Sequence, residues 1–271
     1  MKQKISVALV GAGSMGGALL RGWLENSVID AASSAAFDPA PAQWLEAAGV
    51  NSGLAINPSL QAGRYDALVI AVKPQTAEKA LPPFSEIARE TLTVSIMAGT
   101  SIASISRYLG GARKIVRAMP NLPAAVGKGA SAIYCARGVG ETEKVIAQDL
   151  MAAVGAAIWV DSESAIDAAT AISGSGPAYF FLLGEALEAA ARALGLDDDA
   201  ARSLARATLI GAGAYAAQDR RALDELRRAV TSPGGTTEAA LKIFDGDDRR
   251  LRKLVEEATR AAARRAGELT N

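Results

Sequence analysis

Short apolar runs alternate with amphipathic stretches through roughly the first 160 residues of this 271-residue chain. The runs at 5–10, 66–72 and 91–98 are almost continuously apolar, which is typical of strands buried on both faces. Shorter runs predict further strands at 35–37, 115–118, 130–135 and 157–160. Helical stretches separate these strands at 18–25, 41–48, 102–109 and 141–154. Strands that alternate with helices predict parallel β-α-β units.

A glycine-rich turn follows the first predicted strand. Gly11, Gly13 and Gly16 have the G-x-G-x-x-G spacing and lead into a helical stretch. In this motif the first glycine permits a tight turn, the second lets the backbone approach a pyrophosphate, and the third lets the helix pack on the strand. The pyrophosphate then lies at a helix N-terminus, where free N–H groups favour negative charge. The pattern predicts a dinucleotide site; a glycine-rich strand–helix corner is the alternative.

The strand pattern stops near Glu163. The sequence beyond it predicts helices at 167–191, 197–218, 223–230, 238–244 and 247–268. Pro177 lies inside the first of these, so we expect that helix to restart or kink there. We therefore expect an α/β fold, with an N-terminal Rossmann domain over 1–162 and a C-terminal all-helical domain over 163–271. Its long alanine-rich apolar faces predict burial against a second copy, as in a homodimer.

Several predicted strand ends carry candidate ligand contacts. Asp38 ends the second strand about 20 residues beyond the glycine turn, where an acidic side chain can bind the ribose hydroxyls of the adenosine. A carboxylate there repels a 2′-phosphate, and no Arg or Lys lies between Asp38 and Arg64, so the pattern favours NAD(H). Lys73 and Pro74 end another strand at the same predicted crevice. Ordinary turn chemistry is the alternative for all of these.

A second candidate anion site is Thr-Ser-Pro-Gly-Gly-Thr-Thr at 231–237, which opens a predicted helix. A Gly-rich turn before a helix leaves N–H groups pointing outward, which can bind an anion without a formal charge. A substrate carboxylate would suit it, and Thr237 adds a hydroxyl that can donate or accept a hydrogen bond. An N-capped helix with a glycine hinge is the alternative.

Composition excludes several classes of function. The 29 basic residues equal the 29 acidic ones, so nothing calls for nucleic acid or an anionic membrane. The chain has no histidine, which excludes Ser-His-Asp hydrolysis and His-ligated metals. Cys135 is the only cysteine, which suits a reducing cytoplasm and gives no metal cluster. No apolar run is long enough for a membrane helix. A signal peptide built on Lys2 and Lys4 is disfavoured because glycines interrupt its apolar segment.

Five motifs together resemble the pyrroline-5-carboxylate reductase family. They are VGAGSMGGAL at 10–19, AVKP at 71–74, RAMPN at 117–121, SGSGPAY at 173–179 and TSPGGTTEAAL at 231–241. They occur in the family's order and spacing, and the resemblance covers nearly the whole chain. The last two are highly specific. Leu122 departs from the pattern, because the family usually has Thr there.

The resemblance implies NAD(P)H-dependent reduction of 1-pyrroline-5-carboxylate to L-proline, the last step of proline synthesis. It also implies a Rossmann domain with a helical dimerisation domain, and dimers that can assemble further, for example into a decamer. The implied cofactor, NAD(H) or NADP(H), would contact Gly11, Ala12, Gly13, Ser14, Met15, Gly16, Asn57, Ala71, Val72, Lys73 and Pro74. The nicotinamide would lie near Met97, Ala98 and Asn121. At Asp38 the family often has a small hydroxyl residue, so the cofactor preference can differ here.

The resemblance also implies the substrate contacts. The carboxylate would meet the backbone at Ser232, Gly234, Gly235 and Thr236, and Thr237 would bond the ring nitrogen as the catalytic side chain. A β-hydroxyacid dehydrogenase is disfavoured, because that class needs a catalytic Lys in its second domain and none lies between Lys144 and Lys242. A reductase of a related cyclic imine and a non-catalytic NAD(P)-binding module stay open as alternatives.

Overall fold

The computed structural model describes residues 4–60 and 65–270. Lys2 and Arg64, which entered the sequence argument, lie outside these ranges. The chain forms two compact units: the first runs to Ser175 and takes in the chain from Ala262 onward, and the second is Gly176–Ala261. The sequence predicts a domain boundary between residues 162 and 163, and that boundary stays a prediction.

The first unit is built on one eight-stranded sheet with the strand order β3-β2-β1-β4-β5-β6-β7-β8. The strands are β1 Val7–Val10, β2 Ala35–Phe37, β3 Ala55–Ile56, β4 Ala67–Ile70, β5 Leu92–Ser95, β6 Ile115–Met119, β7 Gly129–Cys135 and β8 Gly155–Trp159. All seven strands predicted from apolar runs are present, and short β3 is an addition. The order reverses between β2-β1 and β4-β5, so the ends of β1 and β4 meet at a topological switch point.

Helices connect the strands of the first unit. They are α1 Ser14–Glu25, α2 Gln43–Ser52, α3 Pro74–Ala80, α4 Ser85–Glu90, α5 Ile102–Tyr108, α6 Glu141–Ala152 and α7 Glu163–Ala169. The sequence pattern did not predict α3 and α4. The predicted end of α2 at Gly49 is wrong, because the helix continues to Ser52 and Gly53, in the left-handed region with φ 77°, ends it.

The expectation of parallel units holds for β1 to β6 and fails at β7. β7 runs antiparallel to β6, and β8 is parallel to β7. A parallel crossover needs about a dozen or more residues and usually a helix. Residues 120–128 contain only the 3₁₀ turn Leu122–Val126, so the chain reverses direction instead.

The core lies on both faces of the sheet. Val7 and Leu9 of β1 pack with Leu19 and Trp23 of α1 on one face. Ala8 and Val10 point to the other face, where residues of α4 and α5 cover them. The indole N–H of fully buried Trp23 donates to the carbonyl of Leu150 at 2.7 Å, which fixes α1 against α6. This packing sets the direction in which the N-terminus of α1 points.

The second unit consists of helices, as the sequence predicts. They are α8 Gly176–Ala193, α9 Asp198–Gln218, α10 Leu223–Ala229, α11 Thr236–Asp245 and α12 Arg250–Thr270, whose last residues belong to the first unit. A π-helical turn, Thr170–Gly174, precedes α8, so the helix restarts next to Pro177 as expected. Asp197 caps α9 by accepting from the N–H of Ala200 at 2.8 Å.

Large apolar side chains of α8 are exposed in the single chain. Phe180, Phe181 and Leu182 each expose at least 60% of their surface. Exposed apolar surface on this scale indicates an interaction face. Among residues 4–60 and 65–270, no helix is both long enough and apolar enough to span a bilayer.

Candidate active site

The structure confirms the mechanical roles predicted for Gly11 and Gly16 in the glycine turn. Gly11 has φ +92°, and a Cβ on it would lie 2.8 Å from the carbonyl oxygen of Ala71, across the switch point. A Cβ on Gly16 would lie 2.1 Å from the carbonyl oxygen of Gly11. Both positions therefore exclude a side chain, the first through backbone conformation and contact with β4, the second through the packing of α1 on the turn.

Gly13 differs from its two neighbours in the motif. It is exposed, and a Cβ there would meet nothing within 4 Å. Gly13 is also the N-cap of α1, which has no side-chain cap and no acidic residue in its first turn. Ser14, Met15 and Gly16 form that turn, and the first-turn N–H groups of a helix have no partner within it. The turn fits a dinucleotide diphosphate, which needs close backbone approach and N–H donors.

Asp38 lies at the end of β2 and is half-buried. Its Oδ2 accepts from the N–H of Ala12 at 2.8 Å, and its Oδ1 accepts from the N–H of Ala40 at 2.9 Å. Asn57, with φ 47°, bonds both the N–H and the carbonyl of Asp38 at 2.9 Å. The carboxylate therefore braces the glycine turn, a role that the sequence argument did not include.

The other predicted cofactor residues lie at the ends of β4, β5 and β6. Ala71 donates its N–H to the carbonyl of Val10 at 2.8 Å, so residues 71–74 lie directly beside the glycine turn. Val72 is half-buried, and Lys73 is the N-cap of α3, which begins with Pro74. After β5, Met97 is buried and Ala98 is exposed. The parallel strands thus bring these residues to the same edge of the sheet.

Asn121 follows β6 and is buried, with 7% of its surface exposed. Its Nδ2 donates to the carbonyl of Ser173 at 2.8 Å, and its Oδ1 accepts from the N–H of Ala130 at 2.8 Å. The side chain therefore ties β7 and the π-helical turn to the end of β6. Its expected proximity to nicotinamide stays a prediction. The neighbouring Leu122, where the family usually has Thr, exposes 65% of its surface.

The second candidate site is the turn before α11. The N–H of Gly235 donates to the carbonyl of Ser232 at 3.0 Å, and Gly234 has φ +71°. With Pro233 in the second position, these are the features of a type II β-turn. Gly235 is the N-cap of α11, and Thr236 and Thr237 are its first two residues, both exposed. Each predicted substrate residue therefore lies in this turn or in the first helical turn after it.

Glu238 is a further residue of this turn that the sequence argument missed. Its Oε2 accepts from the N–H of Gly234 at 2.6 Å, and its Oε1 lies 3.7 Å from the ammonium of Lys242. A carboxylate thus already binds one of the donors predicted for the substrate. An acidic residue at the third helical position is a known capping signal. The contact of Glu238 with the preceding turn could therefore have been predicted from the sequence.

These two sites offer backbone donors, hydroxyl groups, carboxylates, side-chain amides and the ammonium groups of Lys73 and Lys242. Within the part of the chain that the structure describes, no group of three or more His, Cys, Asp or Glu residues could hold a metal ion. The eight-stranded sheet with its glycine turn defines a Rossmann-type nucleotide-binding unit followed by a helical unit. This combination is that of a two-part oxidoreductase.

Comparisons with known proteins identify the family. A model described as pyrroline-5-carboxylate reductase dimerisation matches residues 163–269, and one described as NADP oxidoreductase, coenzyme F420-dependent, matches residues 6–99. The pyrroline-5-carboxylate reductase of Pseudomonas aeruginosa is 42% identical over 267 residues, covering 97% of this chain and 96% of that protein. The Haemophilus influenzae reductase is 34% identical over 99% of this chain and 98% of its own.

Solved structures agree with this assignment. The Coxiella burnetii pyrroline-5-carboxylate reductase has a TM-score of 0.90 and 35% identity, with 99% of this chain and 100% of that chain covered. A Plasmodium falciparum pyrroline carboxylate reductase with NADP bound has a TM-score of 0.80 and 26% identity, with both chains covered completely. The chain belongs to the pyrroline-5-carboxylate reductase family. It is an NAD(P)H-dependent oxidoreductase, and its dimerisation region supports a homodimer or larger homo-oligomer.

The glycine turn yields a test that separates folding from binding. Gly13→Ala should leave the melting temperature within about a degree of the parent protein, because its Cβ meets no protein atom. The same change should weaken NADH binding at least about tenfold, because the methyl group intrudes where the diphosphate must approach. Gly16→Ala should instead lower the melting temperature by several degrees through its clash with Gly11.

Calorimetric titration with NADH and thermal melts followed by circular dichroism measure both effects. Gly211→Ala, an open helical position in α9, is the matched control. Unchanged NADH affinity in Gly13→Ala would remove the diphosphate from this turn.

Proposed function

We propose that this chain reduces 1-pyrroline-5-carboxylate to L-proline with NAD(P)H, as the last step of proline synthesis. The observation that carries the proposal is the glycine turn at the β1–β4 switch point, whose shape suits a dinucleotide diphosphate, in a chain of this family. The turn before α11 adds uncharged donors suited to a carboxylate. The domain division at 162/163 is part of the proposal.

The cofactor side is proposed from the contacts of the sheet edge. The first-turn N–H groups of α1 bind the diphosphate, and residues 71–74 form the wall beside it. Asp38, held in place by Asn57, lies at the ribose position after β2. Met97, Ala98 and Asn121 lie at the ends of β5 and β6 and are assigned to the nicotinamide. When bound, the nicotinamide supplies a hydride to the imine carbon.

The substrate side is proposed from the turn before α11. The backbone at Ser232, Gly234, Gly235 and Thr236 binds the carboxylate, assisted by the positive end of the α11 dipole. The hydroxyl of Thr237 bonds the ring nitrogen and fixes the orientation of the imine. A protonated imine is already electrophilic, so the protein contributes mainly by positioning. A chain without histidine suits such a reaction.

The direct test of the proposal mixes the purified chain with reduced cofactor and 1-pyrroline-5-carboxylate. Loss of NADH or NADPH absorbance with stoichiometric appearance of proline is the expected result. Faster reduction of another cyclic imine would assign the chain to that substrate instead. Cofactor binding without any absorbance loss would leave only a binding module.

Assembly beyond the dimer and cellular location belong to the same proposal. The exposed apolar side chains of α8 suit burial against a second copy, and dimers of this family's kind can build a decamer. We place the enzyme in the cytoplasm, as its single cysteine suggests. Light scattering at micromolar concentration distinguishes monomer, dimer and decamer.

Thr237→Val tests the catalytic hydroxyl. The change should lower kcat on the order of 100- to 1,000-fold, because one preorganised hydrogen bond to the reacting nitrogen is lost. Thr142→Val is the matched control, since Thr142 is exposed and holds the same second position in α6, which also has a glycine N-cap. Steady-state kinetics that show equal turnover in both variants would remove Thr237 from the mechanism.

Glu238→Gln tests the carboxylate that occupies Gly234. Gln keeps an acceptor for the N–H of Gly234 but removes the charge that opposes the substrate carboxylate. KM for the imine should fall about three- to tenfold, while KM for NADH stays the same. Glu143→Gln is the control, because Glu143 holds the same position in α6 but pairs with Lys114 at 2.8 Å. A rise in KM for the imine would show that the charge is required instead.

Asp38→Ser tests cofactor choice. The carboxylate should make the parent enzyme prefer NADH, because it repels a 2′-phosphate at the end of β2. The variant should raise the NADPH-to-NADH ratio of kcat/KM by about tenfold or more. The ratio is the readout because loss of the bond to Ala12 weakens both cofactors alike. Asp161→Ser, just beyond β8, is the control; an unchanged ratio in Asp38→Ser contradicts the assignment.

A further inference from the structure

Arg117 is a buried charge that the proposed reaction does not use. It lies in β6 with 3% of its surface exposed. Its guanidinium donates to Oε1 of Glu163 at 2.9 Å, and Oδ1 of Asp167 lies 3.9 Å away. A buried charge requires partners of this kind. Both carboxylates belong to α7, so the ion pair joins β6 to α7.

The oxygen of Glu163 that binds Arg117 also makes a second contact. Its Oε1 accepts from the N–H of Ile102 at 2.7 Å, and Ile102 is the first residue of α5. The first N–H groups of a helix have no partner within it, and a carboxylate there is also favoured by the helix dipole. One oxygen atom thus connects β6, α7 and the start of α5.

The segment before α5 is the one assigned to the nicotinamide. We name residues 97–101 the nicotinamide loop. Its first end is fixed by the N–H of Ile96, which donates to the carbonyl of Ile70 at 2.9 Å. Gly99, with φ +61°, makes the bend within the loop. Its second end is held by two bonds: Ile102 meets Glu163, and Ser101 caps α5 by accepting from the N–H of Ser104 at 3.2 Å. The bend itself lies against Leu269 of α12, since a Cβ on Gly99 would be 2.8 Å from that residue.

We propose that Glu163, itself held by Arg117, is a positioning residue that fixes the nicotinamide loop for cofactor binding. The inference rests on the proposed function, which assigns Met97 and Ala98 to the nicotinamide. Loss of the Glu163 contact removes one of the bonds that hold the second end of the loop, while the Ser101 cap and the bonds of β4 to β5 stay in place. The loop then samples more conformations, and the cofactor must order it on binding.

Glu163 is also the first residue matched by the dimerisation model. The structure places it in the first compact unit, with the sheet. The start of the family's dimerisation region therefore takes part in shaping the cofactor loop. That contact is invisible in the sequence, because 61 residues separate Ile102 from Glu163.

Two variants of Glu163 test the proposal. Glu163→Gln keeps a neutral acceptor, and charge-assisted hydrogen bonds are about twice as strong as neutral ones, so its effect should be partial. Glu163→Ala removes the acceptor. The dissociation constant for NADH should rise about threefold in the Gln variant and about tenfold or more in the Ala variant. At saturating NADH, kcat for the imine should stay within about twofold of the parent.

Hydrogen exchange followed by mass spectrometry reports whether the loop loosens, and weaker NADH binding with an unchanged kcat is the readout that a purely structural role would not move. Peptides that cover residues 97–102 should exchange faster in both variants, while peptides of β1 and α1 should not. Glu143→Gln is the matched control, because Glu143 also lies in the first turn of a helix and pairs with Lys114, which precedes β6. It should change neither NADH binding nor exchange in the loop.

All titrations are made at a temperature where circular dichroism shows each variant folded. If the Ala variant does not fold, the Gln variant decides the question. Unchanged NADH affinity in both variants, with or without faster loop exchange, would overturn the proposal, and so would weaker NADH binding with unchanged loop exchange. NADH binding and exchange are measured without the imine, so failure of the parent chain to reduce 1-pyrroline-5-carboxylate refutes the proposed function and leaves this test intact.

Discussion

The close approach of two strand ends is the constraint on which the rest of the structure depends. β1 and β4 end side by side at the switch point, and the backbone of Gly11 lies against Ala71 with no room for a side chain. Gly16 then brings α1 down onto the same turn. Because Trp23 anchors α1 from its other end, the helix N-terminus is aimed at the sheet edge. The assignment of a dinucleotide to this site rests on the direction of the α1 N-terminus and not on any charged side chain.

The two candidate ligand turns use the same physics with one difference. Both place a glycine N-cap before a helix and offer backbone N–H groups to an anion. The first turn of α1 contains no acidic residue, whereas Glu238 reaches back to Gly234 at α11. The turn proposed for the diphosphate is thus open, and the turn proposed for the carboxylate contains a competing charge. On the proposed function, the affinity for the substrate carboxylate depends on whether it displaces Glu238 from the N–H of Gly234.

Much of the fold followed from local pattern, because a buried strand requires a nearly continuous apolar run. The direction of β7 did not, since it depends on how far residues 120–128 can reach and not on the composition of the strand. The end of α2 was misplaced because Gly49 is tolerated inside the helix while Gly53 ends it. The glycine roles were predictable from spacing, but the contacts of Asp38, Asn121 and Glu163 join residues distant in sequence and needed the structure.

The central claim is that a hydride passes from a nicotinamide held at this sheet edge to a cyclic imine held by its carboxylate. The most direct measurement follows deuterium from NADH fully deuterated at nicotinamide C4, with the purified chain and 1-pyrroline-5-carboxylate. We expect proline with one deuterium at C5, detected by mass spectrometry and NMR. Unlabelled proline, or consumption of the cofactor without proline, would contradict the account.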